Sequence, residues 1–171
     1  MDAVAQHTQA HVCGALGLTL QRAPEVIEGE AALDLLDMTA IISLGGAANV
    51  LLAFTFENDL SNQIRGIETR GLSMTPEELT RCLPETLAET ANIIAGHCTR
   101  ELARADRLVT MSTPLVVQSR QLQCGAGRAF FKKISYQTDA GRLHVVCVAP
   151  RDSAQIVELE KLRFREGGRS V

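Results

Sequence analysis

The sequence predicts an α+β fold in which a largely antiparallel sheet packs with long helices. Two glycine-bearing hairpin signals stand far apart in the chain, at 45–48 and 138–141. Helical periodicities are grouped between and around them, whereas a regular βαβ fold would alternate them singly with strands. The length is 171 residues, with 46% apolar and 22% charged side chains, which suits one globular domain able to bury a substantial core. The expected organisation is a single domain over 1–171, with its core at about 34–148. An N-terminal helix at 2–17 and a C-terminal helix at about 153–165 flank that core.

Asp2 to about Gly17 reads as the first helix, with Val4, Val12, Ala15 and Leu16 toward the core and Gly14 and Gly17 weakening its end. Leu18 to Glu30 reads as irregular. Leu35–Leu44 and Val50–Phe56 are rich in β-formers and flank Gly45-Gly46-Ala47-Ala48, so they predict a hairpin. Period two places Leu52, Phe54 and Phe56 on the inward face. Asn58 is a candidate N-cap for a short helix carrying Leu60, Ile64 and Ile67, closed by Gly71. Thr75 and Glu78 form a capping box, with Pro76 at the first helical position.

Pro84 lacks an N–H and crowds the preceding turn, so a break is expected there. One helix should end near Cys82, and a second should run from Pro84 to about Ala105. Leu108–Val117 is a strand interrupted by Pro114, expected at an edge or restarting after the proline. Arg128–Gln137 and Arg142–Ala149 flank the second hairpin turn, and Asp152 with Gln155 announces the C-terminal helix.

Composition excludes several classes of function. The net charge of −3 offers no basic surface to nucleic acid, and with no Trp and one Tyr there is little to stack on bases. The five cysteines are odd in number, widely spaced and never CxxC, which argues against a disulfide framework or a zinc knuckle. The most apolar stretch, Ile41–Phe56, is interrupted by glycines and is shorter than the ~20 residues of a membrane span. No signal peptide is evident, so a cytoplasmic protein without membrane attachment is expected.

Familiar catalytic signatures are missing. There is no GxxxxGK[ST], no GxSxG, and Phe130 stands where Gly125-Ala-Gly127 would need a third glycine. His7 and His11 share a helix face, but neither an HExxH pattern nor a third ligand accompanies them, so no metal site is expected. His97 and Cys98 adjoin in sequence yet project about 100° apart, which separates them as a nucleophile–base pair.

The stretch from Leu83 to His97 is more informative. Leu87, Ala91, Ile94, Cys98 and Leu102 make an apolar stripe, while Glu85, Glu89, Asn92 and Gly96 fall on nearly the opposite side. Glycine inside a helix costs about 1 kcal/mol relative to alanine, so Gly96 on a wet face suggests room kept for an approaching partner.

Glu89-Thr-Ala-Asn92-Ile-Ile-Ala-Gly96, followed by Leu108-Val-Thr-Met-Ser-Thr-Pro114, resembles the signature of the CheC/CheX/FliY family of chemotaxis phosphatases. That family carries ExxN on an exposed helix, with a proline about two dozen residues on. The hairpin around Gly45-Gly46 and the helix after Asn58 also fall where the family has them. One ExxN in this context, not two, makes the chain most similar to CheX. Glu85 departs from the pattern, since the family commonly has Asp or Ser at that position.

The resemblance implies a CheC-like fold and a hydrolase acting on the aspartyl phosphate of a phosphorylated CheY-like receiver domain in two-component signalling. In that reading Asn92 orients the attacking water and Glu89 pairs with the receiver's lysine. Glu85 lies on the docking face, and the helix wheel adds Ala88 and Gly96 as residues that let the partner approach. No cofactor of its own is implied, because Mg2+ belongs to the receiver, and a homodimer joined through its sheets is implied. The alternative is the same fold as a docking module without turnover, and a third reading is an unrelated enzyme using Cys or His.

Overall fold

The computed structural model describes residues 1–23, 32–46, 49–103, 108–119, 121–123 and 129–150. The expected C-terminal helix, at about 153–165, lies outside the described residues, as does the turn at 125–127. Helix α1 (Asp2–Gln9) continues directly into a π-helical segment, Ala10–Ala15. Two short strands follow, β1 (Gln21–Arg22) and β2 (Ala32–Asp34), and then the hairpin β3 (Met38–Gly46) and β4 (Val50–Phe56). Helices α2 (Asn58–Glu68) and α3 (Pro76–Ala103) come next. Strands β5 (Val109–Met111), β6 (Leu115–Val117), β7 (Gln121–Gln123), β8 (Ala129–Thr138) and β9 (Gly141–Pro150) complete the order.

Seven strands form one antiparallel sheet in the order β1-β8-β9-β4-β3-β5, with β6 also on β3, while β2 and β7 pair as a separate ribbon. The α+β architecture with a largely antiparallel sheet is therefore as expected. Strand alternation assigns the faces. Ile42, Phe54, Val145 and Ile134 lie together beneath the helices with Leu60, Ile64, Leu87 and Ile94, all fully buried. Leu52, Phe54 and Phe56 do face this main core. Ala53, Phe131, Val146 and Val148 face the other way and pack with Leu33 and Leu35, so that face is also covered.

Five local expectations are corrected. Pro84 does not break the helix: α3 is continuous for 28 residues through it. The proline is exposed, and the turn before it is held from outside, because Arg65 Nη1 donates to the Leu79 carbonyl at 3.0 Å. Missing one helix bond at the surface leaves a carbonyl to water, which costs less than ending two packed helical runs.

Asn58 is not the N-cap; Glu57 is, and the Asn58 N–H donates to Asp37 Oδ2 at 3.0 Å. For the same reason the first strand of the hairpin starts at Met38, three residues later than expected. Leu36 spends its N–H on the Thr55 hydroxyl at 2.7 Å, and Asp37 turns to hold α2. The second half of the N-terminal helix is wound as a π-helix, which leaves Ala15 exposed and turns His11 inward. The stretch read as irregular from Leu18 contains β1, an edge strand on β8.

Pro114 sits where its missing N–H costs least. Leu44 faces Met111 and Ile41 faces Leu115, so three residues (Ser112, Thr113, Pro114) oppose two on β3, which is a bulge in an edge strand. Ser112 bridges it, donating its N–H to the Ser43 carbonyl and accepting the Ser43 N–H on Oγ, each at 3.0 Å. Gly46, with φ +86°, is required beside it, because a Cβ there would overlap the Leu108 carbonyl oxygen.

Candidate functional site

The long helix α3 is built to hold one face still. Its start is the expected capping box: Glu78 Oε2 accepts the Thr75 N–H at 2.8 Å, and Thr75 Oγ1 accepts the Glu78 N–H at 3.2 Å. Leu87, Ala91, Ile94 and Ala95 are fully buried and Cys98 nearly so, which anchors one side against the sheet. Thr86 and Thr90 turn their hydroxyls back onto the carbonyls of Cys82 and Thr86, so these polar groups on the flank are satisfied locally.

With that side fixed, the helical repeat leaves the opposite side open. Glu85 and Glu89 are exposed, and Ala88, Asn92 and Gly96 are half-buried along the same open surface. The structure thus places Glu85, Glu89, Asn92 and Gly96 on one accessible stripe, with Ala88 at its margin. Asn92 Nδ2 donates to Glu89 Oε2 at 3.4 Å, a long contact that either group can exchange for another partner. A Cβ placed on Gly96 would meet nothing within 4 Å, so packing inside the chain does not require a glycine there.

The chemistry of this stripe is that of positioning. A carboxamide donates and accepts without carrying charge, and a carboxylate one turn away offers a cation a charge-assisted bond. The arrangement supplies no nucleophile. Among the described residues, no group of three or more His, Cys, Asp or Glu side chains converges as a metal site. Cys98 points into the core, away from the stripe, and burial pushes the Cys147 thiol up to about 11, where little thiolate exists at neutral pH.

The flank of the site contains residues that the sequence reading had treated separately. His7 of α1 stacks on His97 of α3, with ring centroids 5.5 Å apart and planes inclined by 21°. His11 is buried nearby, and its affinity for a proton is lowered by burial, raised by Glu68, lowered by His97 and raised by Glu89. No spacing rule pairs residue 7 with residue 97. Only the packing of α1 on α3 brings them together.

The family model of Chemotaxis phosphatase CheX matches residues 38–131, more than half of the chain. No curated protein matches the sequence. Among solved structures, the fold is similar to a chemotaxis protein CheX from Desulfovibrio desulfuricans, with TM-score 0.73 and 13% identity over 88% of this chain and 97% of that one. It is also similar to CheX from Vibrio vulnificus, with TM-score 0.68 and 17% identity over 86% and 96%. A third is the CheX–CheY–BeF3–Mg2+ complex from Borrelia burgdorferi, with TM-score 0.64 and 14% identity over 88% and 97%.

Proposed function

The chain belongs to the CheX family of chemotaxis phosphatases, and we propose that it hydrolyses the aspartyl phosphate of a phosphorylated CheY-like receiver domain through the open face of α3. The observation that carries this reading is the Glu89–Asn92 pair, one residue exposed and the other half-buried, one turn apart on the open face of a helix whose other side is locked into the core. The Borrelia burgdorferi relative, solved as a complex with CheY, supports the class of partner.

In the proposed reaction, a water oxygen bonds to phosphorus as the bond from phosphorus to the aspartyl oxygen breaks. Inorganic phosphate and the receiver's free carboxylate result. Asn92 orients the water; carrying no charge, it does not repel the phosphoryl group as aspartate would. Glu89 releases the Asn92 amide, pairs with the receiver's lysine and fixes the docking. Glu85, Ala88 and Gly96 complete the contact surface. Mg2+ is contributed by the receiver, so this chain needs no cofactor of its own.

Phosphate release from a phosphorylated CheY-like receiver tests the reading, with wild type beside Asn92→Ala and Glu89→Ala. Acceleration that collapses in folded Asn92→Ala supports it. The rival docking module is distinguished by a binding measurement on the same samples, since tight binding with an unchanged acyl-phosphate lifetime selects the module. The cytoplasm, where such receivers act, is the proposed site of action. No helix among the described residues is long and apolar enough to cross a membrane. We also propose a homodimer joined at the sheet edge formed by β5 and β6, where Leu108, Met111 and Leu115 are exposed. Sedimentation of wild type against Leu115→Lys tests it, with a dimeric wild type and a monomeric variant expected.

A further inference from the structure

The stripe that holds the proposed site has no large apolar side chain: it consists of Glu85, Glu89, Asn92 and Gly96, with Ala88 at its margin. Specific protein interfaces bury about 800 Å² on each partner, around an apolar centre with a polar rim. One such stripe supplies rim and too little of the centre. Glu89 also begins a second row on α3, because Glu89, Ile93 and His97 fall at i, i+4 and i+8. Ile93 is half-buried and His97 exposed, so this row stays open beside Asn92 and Gly96. Its far end meets α1, where His7 stacks on His97 with ring centroids 5.5 Å apart and planes inclined by 21°. Ala3 and Ala10, one turn to either side of His7, are short, so the imidazole stands above its neighbours on that border. His11, one turn further on, is buried and out of a partner's reach.

We propose that Ile93, walled by the His7–His97 stack, is the apolar anchor of the receiver-docking surface, and that α1 thereby takes part in selecting the receiver. Its partner is an apolar side chain of a CheY-like receiver, seated on Ile93 as Asn92 enters the phosphorylated site. The inference rests on the function proposed above and names a further contact of that same surface.

The α1 flank suits this contact better than the opposite one. On the other side of α3, the exposed apolar residues Leu108, Met111 and Leu115 lie along the strand edge formed by β5 and β6, not on the helix. Ile93 follows Asn92 directly and stands one turn from Glu89, so a side chain seated on it falls within the footprint of the site. The two rings bound that seat with flat, partly apolar surfaces, and their nitrogens add directional contacts. A ring already held by stacking has less freedom to lose on binding than a loose surface side chain. Leu87, Ala91, Ile94 and Ala95 are fully buried underneath, so the anchor stands on a fixed helix.

The test uses the full chain and one CheY-like receiver. It measures kcat and KM for the phosphorylated receiver, Kd for the receiver held active with BeF3 and Mg2+, and a thermal melt of every variant. Ile93→Ala removes the anchor and should raise KM and Kd roughly tenfold with kcat within about twofold, the signature of lost uniform binding. His97→Ala, at an exposed position, should weaken binding about threefold to tenfold with little change in the melt, and it carries the test if Ile93→Ala fails to fold. His7→Phe keeps a ring on the stack and should stay within about twofold of wild type, whereas His7→Ala should follow His97→Ala. Gln9→Ala, exposed elsewhere on α1, should leave KM unchanged.

Wild-type KM and Kd in folded Ile93→Ala and His97→Ala overturn the anchor and leave the phosphatase reading standing. A lowered melt with unchanged KM overturns it as well, because the row then only packs α1 on α3. A loss confined to kcat overturns docking as the role of this flank. Receiver binding without turnover, weakened in both variants, supports the anchor and overturns the phosphatase reading. A wild type that binds no receiver overturns both.

Discussion

The carboxamide of Asn92 reaches the carboxylate of Glu89 at 3.4 Å, across one turn of the open face of α3. A bond this long is weak, so either group can give it up for another partner. The same contact makes each residue's role separable, because neither is needed to hold the helix in place.

Asn92→Ala should therefore leave folding within about 0.5 kcal/mol of wild type, since among the described residues the side chain hydrogen-bonds to its exposed neighbour Glu89. Phosphatase activity should fall roughly 10²–10³-fold, the usual loss for a preorganised positioning group. Asn92→Asp should lose at least as much, by adding negative charge where the phosphoryl group arrives. Thermal melts beside receiver dephosphorylation check both statements.

Gly96 separates stability from docking. A methyl group there meets no atom within 4 Å, and glycine is a poor helix former. Gly96→Ala should stabilise the fold by about 0.5–1 kcal/mol while raising the KM for the receiver. Gly96→Leu should raise KM further with the melt still intact. Unchanged KM in both variants would remove Gly96 from the contact surface.

Pro84 lies inside a continuous helix at an exposed position. Pro84→Ala restores one N–H and removes the clash with the preceding turn. It should stabilise the protein by up to about 3 kcal/mol, with phosphatase activity unchanged. Two independent helices meeting at residue 84 would show little gain. Denaturant midpoints decide between them.

Glu57 links the start of α2 to β9. Its carboxylate accepts the Arg142 N–H and Nε–H, each at 2.7 Å, and pairs with Nη2 at 2.6 Å. These hydrogen bonds from Arg142 hold the carboxyl below its ordinary 4.5. The sign follows: the contribution is fully present above 4.5 and is lost as pH falls through the depressed folded value. Glu57→Gln should lower stability at pH 7 and flatten the acid limb of the stability curve below 4.5. Urea midpoints across that range measure the difference.

Much of the site was legible in the sequence because it lies on one helix. The 3.6-residue repeat alone sets Leu87, Ala91, Ile94 and Cys98 against Glu85, Glu89, Asn92 and Gly96, and packing only had to choose which side faced in. Both hairpins were equally local, since glycine and turn chemistry decide them within a few residues. Pro84 was misread for the opposite reason. Local propensity says break, but the packing of α2 and the sheet against α3 holds the helix together on both sides of one missing bond.

The sequence by itself determined the hairpins, the capping box at Thr75 and the composition of the two faces of α3, because each depends on neighbours within a turn or two. Tertiary structure alone decided that α3 runs unbroken, that Pro114 lies in an edge bulge opposite Ser43, and that His7 meets His97. Those relationships join residues dozens of positions apart. Their geometry comes from which apolar surfaces bury one another, and no local periodicity encodes that choice.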